Sequence, residues 1–113
     1  MHEVGLMQGV LEIALEHARG QGARQIHRVQ MRVGALSGTV PEALRFAFDV
    51  VAGGTMAEGA RFDIETVPLV CYCPPCGAEF QSEDLFGECP RCGRPSAEVR
   101  RGRELELVSL EVS

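Results

Sequence analysis

The sequence predicts an α+β fold: a small sheet of about three strands covered by two helices, with a four-cysteine metal lobe set between strands. Two stretches carry helical apolar spacing, and three stretches alternate apolar with polar residues. Two Cys-x-x-Cys-Gly turns stand between the second and third alternating stretches.

Residues 4–19 read as an amphipathic helix. Met7, Val10, Leu11, Ala14 and Ala18 share one face, and Leu6, Ile13 and Leu15 widen the stripe toward a second neighbour. Gly20-Gln21-Gly22 is its stop signal. Residues 25–35 alternate, with Ile26, Val29, Met31 and Val33 apolar and Arg28, Gln30 and Arg32 opposite, as in a half-exposed strand. Gly34 to Thr39 reads as a loop. Pro41 then opens a second helix at a position where its missing N–H costs nothing. Leu44, Ala47, Phe48 and Val51 form its apolar face, with Phe46 and Val50 alongside, and Gly53-Gly54 ends it. Residues 61–72 alternate as a second strand, kinked or at an edge at Pro68. The final stretch, Glu104–Val112, alternates as a third strand and slips register near Val108. Residues 1–70 and 102–113 thus form one α+β domain, and 71–101 an inserted metal-binding domain.

The insertion reads Y-C-P-P-C-G, then C-P-R-C-G. Two residues between thiols let a tight turn aim both sulfurs at one ion. Gly77 and Gly93 supply the positive φ that folds backbone N–H groups back toward sulfur. Cys73, Cys76, Cys89 and Cys92 together suit tetrahedral Zn²⁺ in a closed, structural site. The same ligands suit iron, and Cys73–Cys76 alone also fits a redox pair. Glu79-Phe80-Gln81 and Leu85-Phe86-Gly87 read as the short segments of a zinc ribbon. Cys71 shares a strand face with Cys73 and reads as a small buried apolar residue.

A net charge of −5 gives no attraction to phosphate backbones, and the 5% aromatic content offers no base-stacking platform, so no nucleic-acid partner is expected. No apolar run approaches a membrane span. Paired cysteines without a secretion signal point to a reducing cytoplasm. No Ser/His/Asp set, phosphate-binding loop or H-E-x-x-H stands out, so a binding protein without turnover is expected rather than an enzyme.

The chain opens Met1-His2-Glu3. The α-amine of Met1 and the backbone nitrogen and imidazole of His2 lie within chelating reach of one ion. Amine and imidazole nitrogens suit Ni²⁺ and Cu²⁺, and Glu3 adds a carboxylate or a backbone nitrogen. The plain alternative is a solvated terminal histidine. His17 reads as favouring the dipole at the end of the first helix, and His27 as a surface residue.

Met1-His2-Glu3, the run V-G-A-L-S-G-T-V-P-E-A-L-R-F-A-F at 33–48, E-G-A at 58–60, the two cysteine turns and G-R-E-L at 102–105 together resemble the HypA/HybF family of hydrogenase nickel-incorporation proteins. The resemblance covers essentially the whole chain. It implies a nickel-binding α+β domain with an inserted zinc domain. It implies cargo nickel at His2, with the Met1 amine and the backbone around Glu3 taking part, and structural zinc at the four cysteines. The implied partners are the [NiFe]-hydrogenase large subunit precursor, a GTP-hydrolysing accessory protein and, in some organisms, the urease maturation proteins. Val40 stands where some members carry an acidic nickel ligand in the loop before the second helix, with Glu42 close by. The alternative is a zinc-ribbon interaction module that delivers no nickel. Both a monomer and a dimer fit the exposed strand edges.

Overall fold

The computed structural model describes residues 2–83 and 87–113; Met1, Asp84, Leu85 and Phe86 lie outside the described residues. The elements are α1 (His2–Gly20), β1 (Ile26–Gly34), α2 (Pro41–Ala52), β2 (Arg61–Val67), β3 (Leu69–Cys73), β4 (Ala78–Ser82), β5 (Val99–Arg101) and β6 (Leu105–Val112). They form two three-stranded sheets, ordered β2-β1-β6 and β4-β3-β5. The α+β class and the helix-covered three-stranded sheet agree with the pattern read from the sequence. The single strand expected over 61–72 does not. Pro68 removes a ladder donor and splits that stretch into β2 and β3, which belong to different sheets.

The chain divides into two compact units: Met1–Arg32, Thr39–Glu65 and Glu106–Ser113 make the first, and Val33–Gly38 with Thr66–Leu105 the second. The second unit is wider than the 71–101 segment.

In the first unit, Met7, Leu11, Ala14 and Ala18 are buried along α1. Their spacing puts them on one face of the helix. Leu6 and Leu15 are half-buried beside this face, whereas Ile13, read as widening the same stripe, is exposed. The helix ends as a Schellman turn, with Ala23 N–H donating to Ala18 C=O and Gly22 N–H to Arg19 C=O. α2 begins at Pro41 and buries Leu44, Ala47, Phe48 and Ala52. Phe48 stacks on Phe62 of β2 with ring centroids 4.7 Å apart. Phe46 and Val50, on the other side of α2, stay exposed.

Ser113 exchanges backbone bonds with Gln25, so β6 runs antiparallel to β1. Arg28 pairs with Asp63 and Arg32 with Glu65, both pairs stepping the same way, so β2 runs parallel to β1 across the α2 crossover. On the far side of β1, Glu106 pairs with Arg32 and Glu111 with Arg28. The sheet face opposite the apolar side chains is thus a ladder of ion pairs with both arginines on the central strand. His27 is a surface residue as expected, its imidazole bonded to the Ser113 hydroxyl at 2.6 Å.

Hydrogen bonds from Arg28 and Arg61 hold the Asp63 carboxyl below its usual pKa. A depressed carboxylate stabilises the fold above its unfolded pKa and stops doing so as pH falls through the folded value. Asp63→Asn is therefore expected to lower Tm modestly at neutral pH, and the difference from wild type to shrink as pH drops below about 4. A Tm difference independent of pH would assign the effect to packing instead.

Candidate metal centre

Both cysteine turns are built the same way. In the first, β3 and β4 form a hairpin pairing Leu69 with Ser82 and Cys73 with Ala78. The connection is Pro74–Gly77, so Cys73 closes a strand and Cys76 sits in the turn. In the second, Glu88 bridges Pro95 and Cys89 N–H donates to Arg94 C=O. Gly77 N–H donates to Cys73 C=O, and Gly93 N–H to Cys89 C=O, both at 2.8 Å. This closure demands a left-handed residue, and φ is 62° at Gly77 and 74° at Gly93.

The turns face each other. The four sulfurs lie within 4.8 Å of one another. Cys73 Sγ is 3.6 Å from Cys92 Sγ, and Cys89 Sγ is 3.9 Å from Cys76 Sγ. A tetrahedron with metal–sulfur bonds of about 2.3 Å has edges of about 3.8 Å. The donor set and these two sulfur separations therefore fit a four-thiolate ion. No fifth cysteine belongs to the cluster: Cys71 is fully buried beside it, opposite Phe80 and Val99 in its sheet, which is the small apolar role read from the sequence.

The first cysteine of each turn is buried, while Cys76 is half-buried and Cys92 exposed. Cys89 accepts backbone N–H bonds from Cys92 and Arg91, which bring its pKa down to about 7. Cys76 is pushed up to about 12 by its contact with the Cys92 thiol and by burial. At Cys73 the Cys76 N–H favours the thiolate, yet burial and the Cys92 thiol outweigh it and the pKa rises. Four crowded thiols that cannot all ionise alone are a site that asks for a cation to share.

Packing holds the turns to their sheet. Leu69, Cys71, Cys73, Phe80 and Cys89 form one buried cluster, with Leu36 and Val99 against it. Ser96 hydroxyl donates to Tyr72 C=O, Tyr72 N–H donates to Glu98 C=O, and the Arg100 guanidinium stacks 4.2 Å over the Tyr72 ring. Leu36 and Gly34 come from the segment read as a plain loop. Gly34 N–H donates to Glu104 C=O, Ala35 N–H to Val67 C=O and Leu36 N–H to Gly102 C=O. Leu36 had one sequence signal, as a lone leucine among small residues. Gly34 and Gly102 were marked by the family resemblance alone and by no periodicity, because their role is to let two backbones touch.

Met1 lies outside the described residues, so the structure does not place its amine. His2 and Glu3 are helical, two residues before the predicted start of the helix; His2 is exposed and Glu3 half-buried. His17, in the last turn of α1, is exposed. Val40 stands at the N-cap of α2 without a side-chain cap, and it is exposed.

The family described as hydrogenase/urease nickel incorporation, metallochaperone, hypA matches residues 1–112. A hydrogenase maturation factor HypA from Picosynechococcus sp. is 53% identical over 112 residues, covering 99% of each chain. One from Acidithiobacillus ferrooxidans is 47% identical over 112 residues, again covering 99% of each. The solution structure of the Ni metallochaperone HypA from Helicobacter pylori superposes with a TM-score of 0.67 at 25% identity, over 97% of this chain and 96% of that one. A second HypA solution structure gives a TM-score of 0.73 at 26% identity, over 100% of this chain and 97% of that one. With full-length matches in sequence and in fold, and a four-thiol cluster formed as its spacing demanded, the chain belongs to the HypA family of nickel-incorporation metallochaperones.

Proposed function

We propose that this protein carries Ni²⁺ at its amino terminus and passes it to the large subunit of a [NiFe]-hydrogenase during maturation, with a GTP-hydrolysing protein as accessory partner and a cytoplasmic site of action. Service to urease maturation belongs to the same reading. Zinc at Cys73, Cys76, Cys89 and Cys92 is structural, because four thiolates fill a tetrahedral ion and leave no position for cargo. When bound, zinc neutralises thiolate charge and ties the two turns together.

The observation that carries the nickel assignment is the exposed His2 at the very head of α1, in a chain matched over its whole length by nickel-incorporation proteins. The first N–H groups of a helix have no partner within it. The amides of His2 and Glu3 can therefore give up their protons to water and bind Ni²⁺ through nitrogen without breaking helical bonds. The Met1 amine and the His2 imidazole complete a nitrogen-rich set that suits Ni²⁺. Part of the binding energy is spent ordering the terminus, which keeps the affinity near micromolar, about −8 kcal/mol. Such a site holds cargo yet releases it.

His2→Ala is expected to abolish stoichiometric nickel binding, read by calorimetric titration, while zinc content stays unchanged. A residue added before Met1 should weaken nickel binding by displacing the amine. Wild-type nickel affinity in both variants would move the nickel site away from the terminus, and an unaltered chain that binds no stoichiometric nickel would leave a zinc-ribbon interaction module in place of a carrier.

A further inference from the structure

β6 is an edge strand, with β1 as its one neighbour in the sheet among the described residues. Ser113 directs both its N–H and its C=O toward Gln25. Alternation along a strand then turns the N–H and C=O of Val112 and Leu110 to the outer edge. Beside that edge runs a groove of about 270 Å³ between β6 and the C-terminal end of α1, lined by His17, Gln21, Leu107, Val108, Ser109 and Leu110. Its walls offer apolar surface from Leu107, Val108 and Leu110, together with the polar ends of His17 and Gln21.

The other face of the same strand is acidic. Glu106 and Glu111 are 51% and 63% exposed, and each shares its arginine with a second carboxylate, Glu65 or Asp63. With Arg61 also on Asp63, three arginines serve four carboxylates, which leaves the face acidic. A strand added to β6 would alternate its side chains between the groove and this acidic face. We propose that the outer edge of β6 takes an extended segment of another protein in which apolar and basic side chains alternate, by β-strand addition.

A second copy of β6 fits poorly. Antiparallel self-pairing about Val108–Ser109 sets Glu106 of one chain opposite Glu111 of the other, and like charges in that position repel. The alternation also slips at Val108–Ser109, both exposed, which breaks the edge into two short runs. That slip limits open-ended sheet growth while leaving Leu110–Val112 able to pair. The proposal uses no metal and stands apart from the nickel assignment.

The test uses the zinc-loaded full chain and a synthetic peptide as long as β6, 8 residues of alternating lysine and valine. Titration by calorimetry, with amide hydrogen exchange, should show saturable binding and new protection at Leu110 and Val112. A peptide of the same composition in two blocks should bind about tenfold more weakly. In Glu106→Lys/Glu111→Lys the preference should invert toward an alternating glutamate–valine peptide. Equal binding of the block peptide, or no protection at Leu110 and Val112, would overturn strand addition in favour of charge attraction alone. Protection that rises with protein concentration in the absence of peptide would overturn it in favour of a second copy.

Discussion

Cys89→Ser is expected to lose the structural metal and unfold the second unit while the first keeps its helices. The cluster behind the turns contains Leu69, Cys71, Cys73, Phe80 and Cys89, so two of its members belong to the four-thiol cluster and only Leu69 and Phe80 are large hydrocarbon side chains. A unit this small cannot bury enough apolar surface to offset its chain entropy. Structural zinc contributes on the order of 10 kcal/mol in comparable small domains. Losing one of four thiolates forfeits most of that, and Cys89 is also the ligand whose backbone closes the second turn through Arg94 and Gly93. Metal analysis should find zinc nearly absent from the variant. Hydrogen exchange should show β3 and β4 unprotected while Val29 and Met31 on β1 keep their protection. Chelator treatment of the wild type should reproduce the same pattern. Normal zinc content with an unchanged melting curve would show that the lobe stands on its hydrocarbon packing.

Gly34→Ala should be nearly as damaging, for a reason unrelated to metal. A Cβ at Gly34 would lie 2.2 Å from both the carbonyl carbon and the oxygen of Gly102, and 2.7 Å from the Arg103 nitrogen. These are backbone atoms, so no rotamer change relieves the clash. Gly102 has little room to retreat, since its own Cβ position is 2.9 Å from Leu69 Cα. Relief requires pulling the two segments apart. That breaks the Gly34–Glu104 and Leu36–Gly102 hydrogen bonds and lifts Leu36 off the cysteine cluster. A loss above about 4 kcal/mol is expected, in the range kept for severe backbone and core disruption. Gly9→Ala is the matched control. Gly9 lies inside α1 with nothing within 4 Å of its Cβ position. There the same change should raise stability by about 1 kcal/mol. Denaturant melts of both variants should move in opposite directions. Equal small effects would mean the crossing at Gly102 is not tight.

Much of this was legible because it is local. The C-x-x-C-G turns depend on a few consecutive residues, and their spacing already fixes where the sulfurs point. The periodicities of residues 4–19 and 25–35 mark their own buried faces. What escaped was set by distant residues. Apolar residues resume directly after Pro68 interrupts the run at 61–72, so Pro68 reads as a kink or an edge until β3 is seen pairing with β4 and β5. β5 is only Val99–Arg101, too short to carry a period. The partners of Arg28 and Arg32 needed the register of two other strands. The sequence motif at 33–38 marked itself by resemblance, yet its physical work, with Gly34 touching Gly102 and Leu36 sealing the cysteine cluster, lies in tertiary contact alone.

One consequence concerns assembly. β1 and β6 are sheet neighbours although residues 35–104 separate them, so joining them closes a very long loop. The entropy of such a closure grows with the logarithm of loop length, and distant pairings form slowly. An ion that cinches 73–92 takes up slack before the two ends meet. During synthesis β6 leaves the ribosome after both thiol turns have emerged. A bound cation therefore eases this closure only slightly, and a chain without it still lays β6 against β1, a little later.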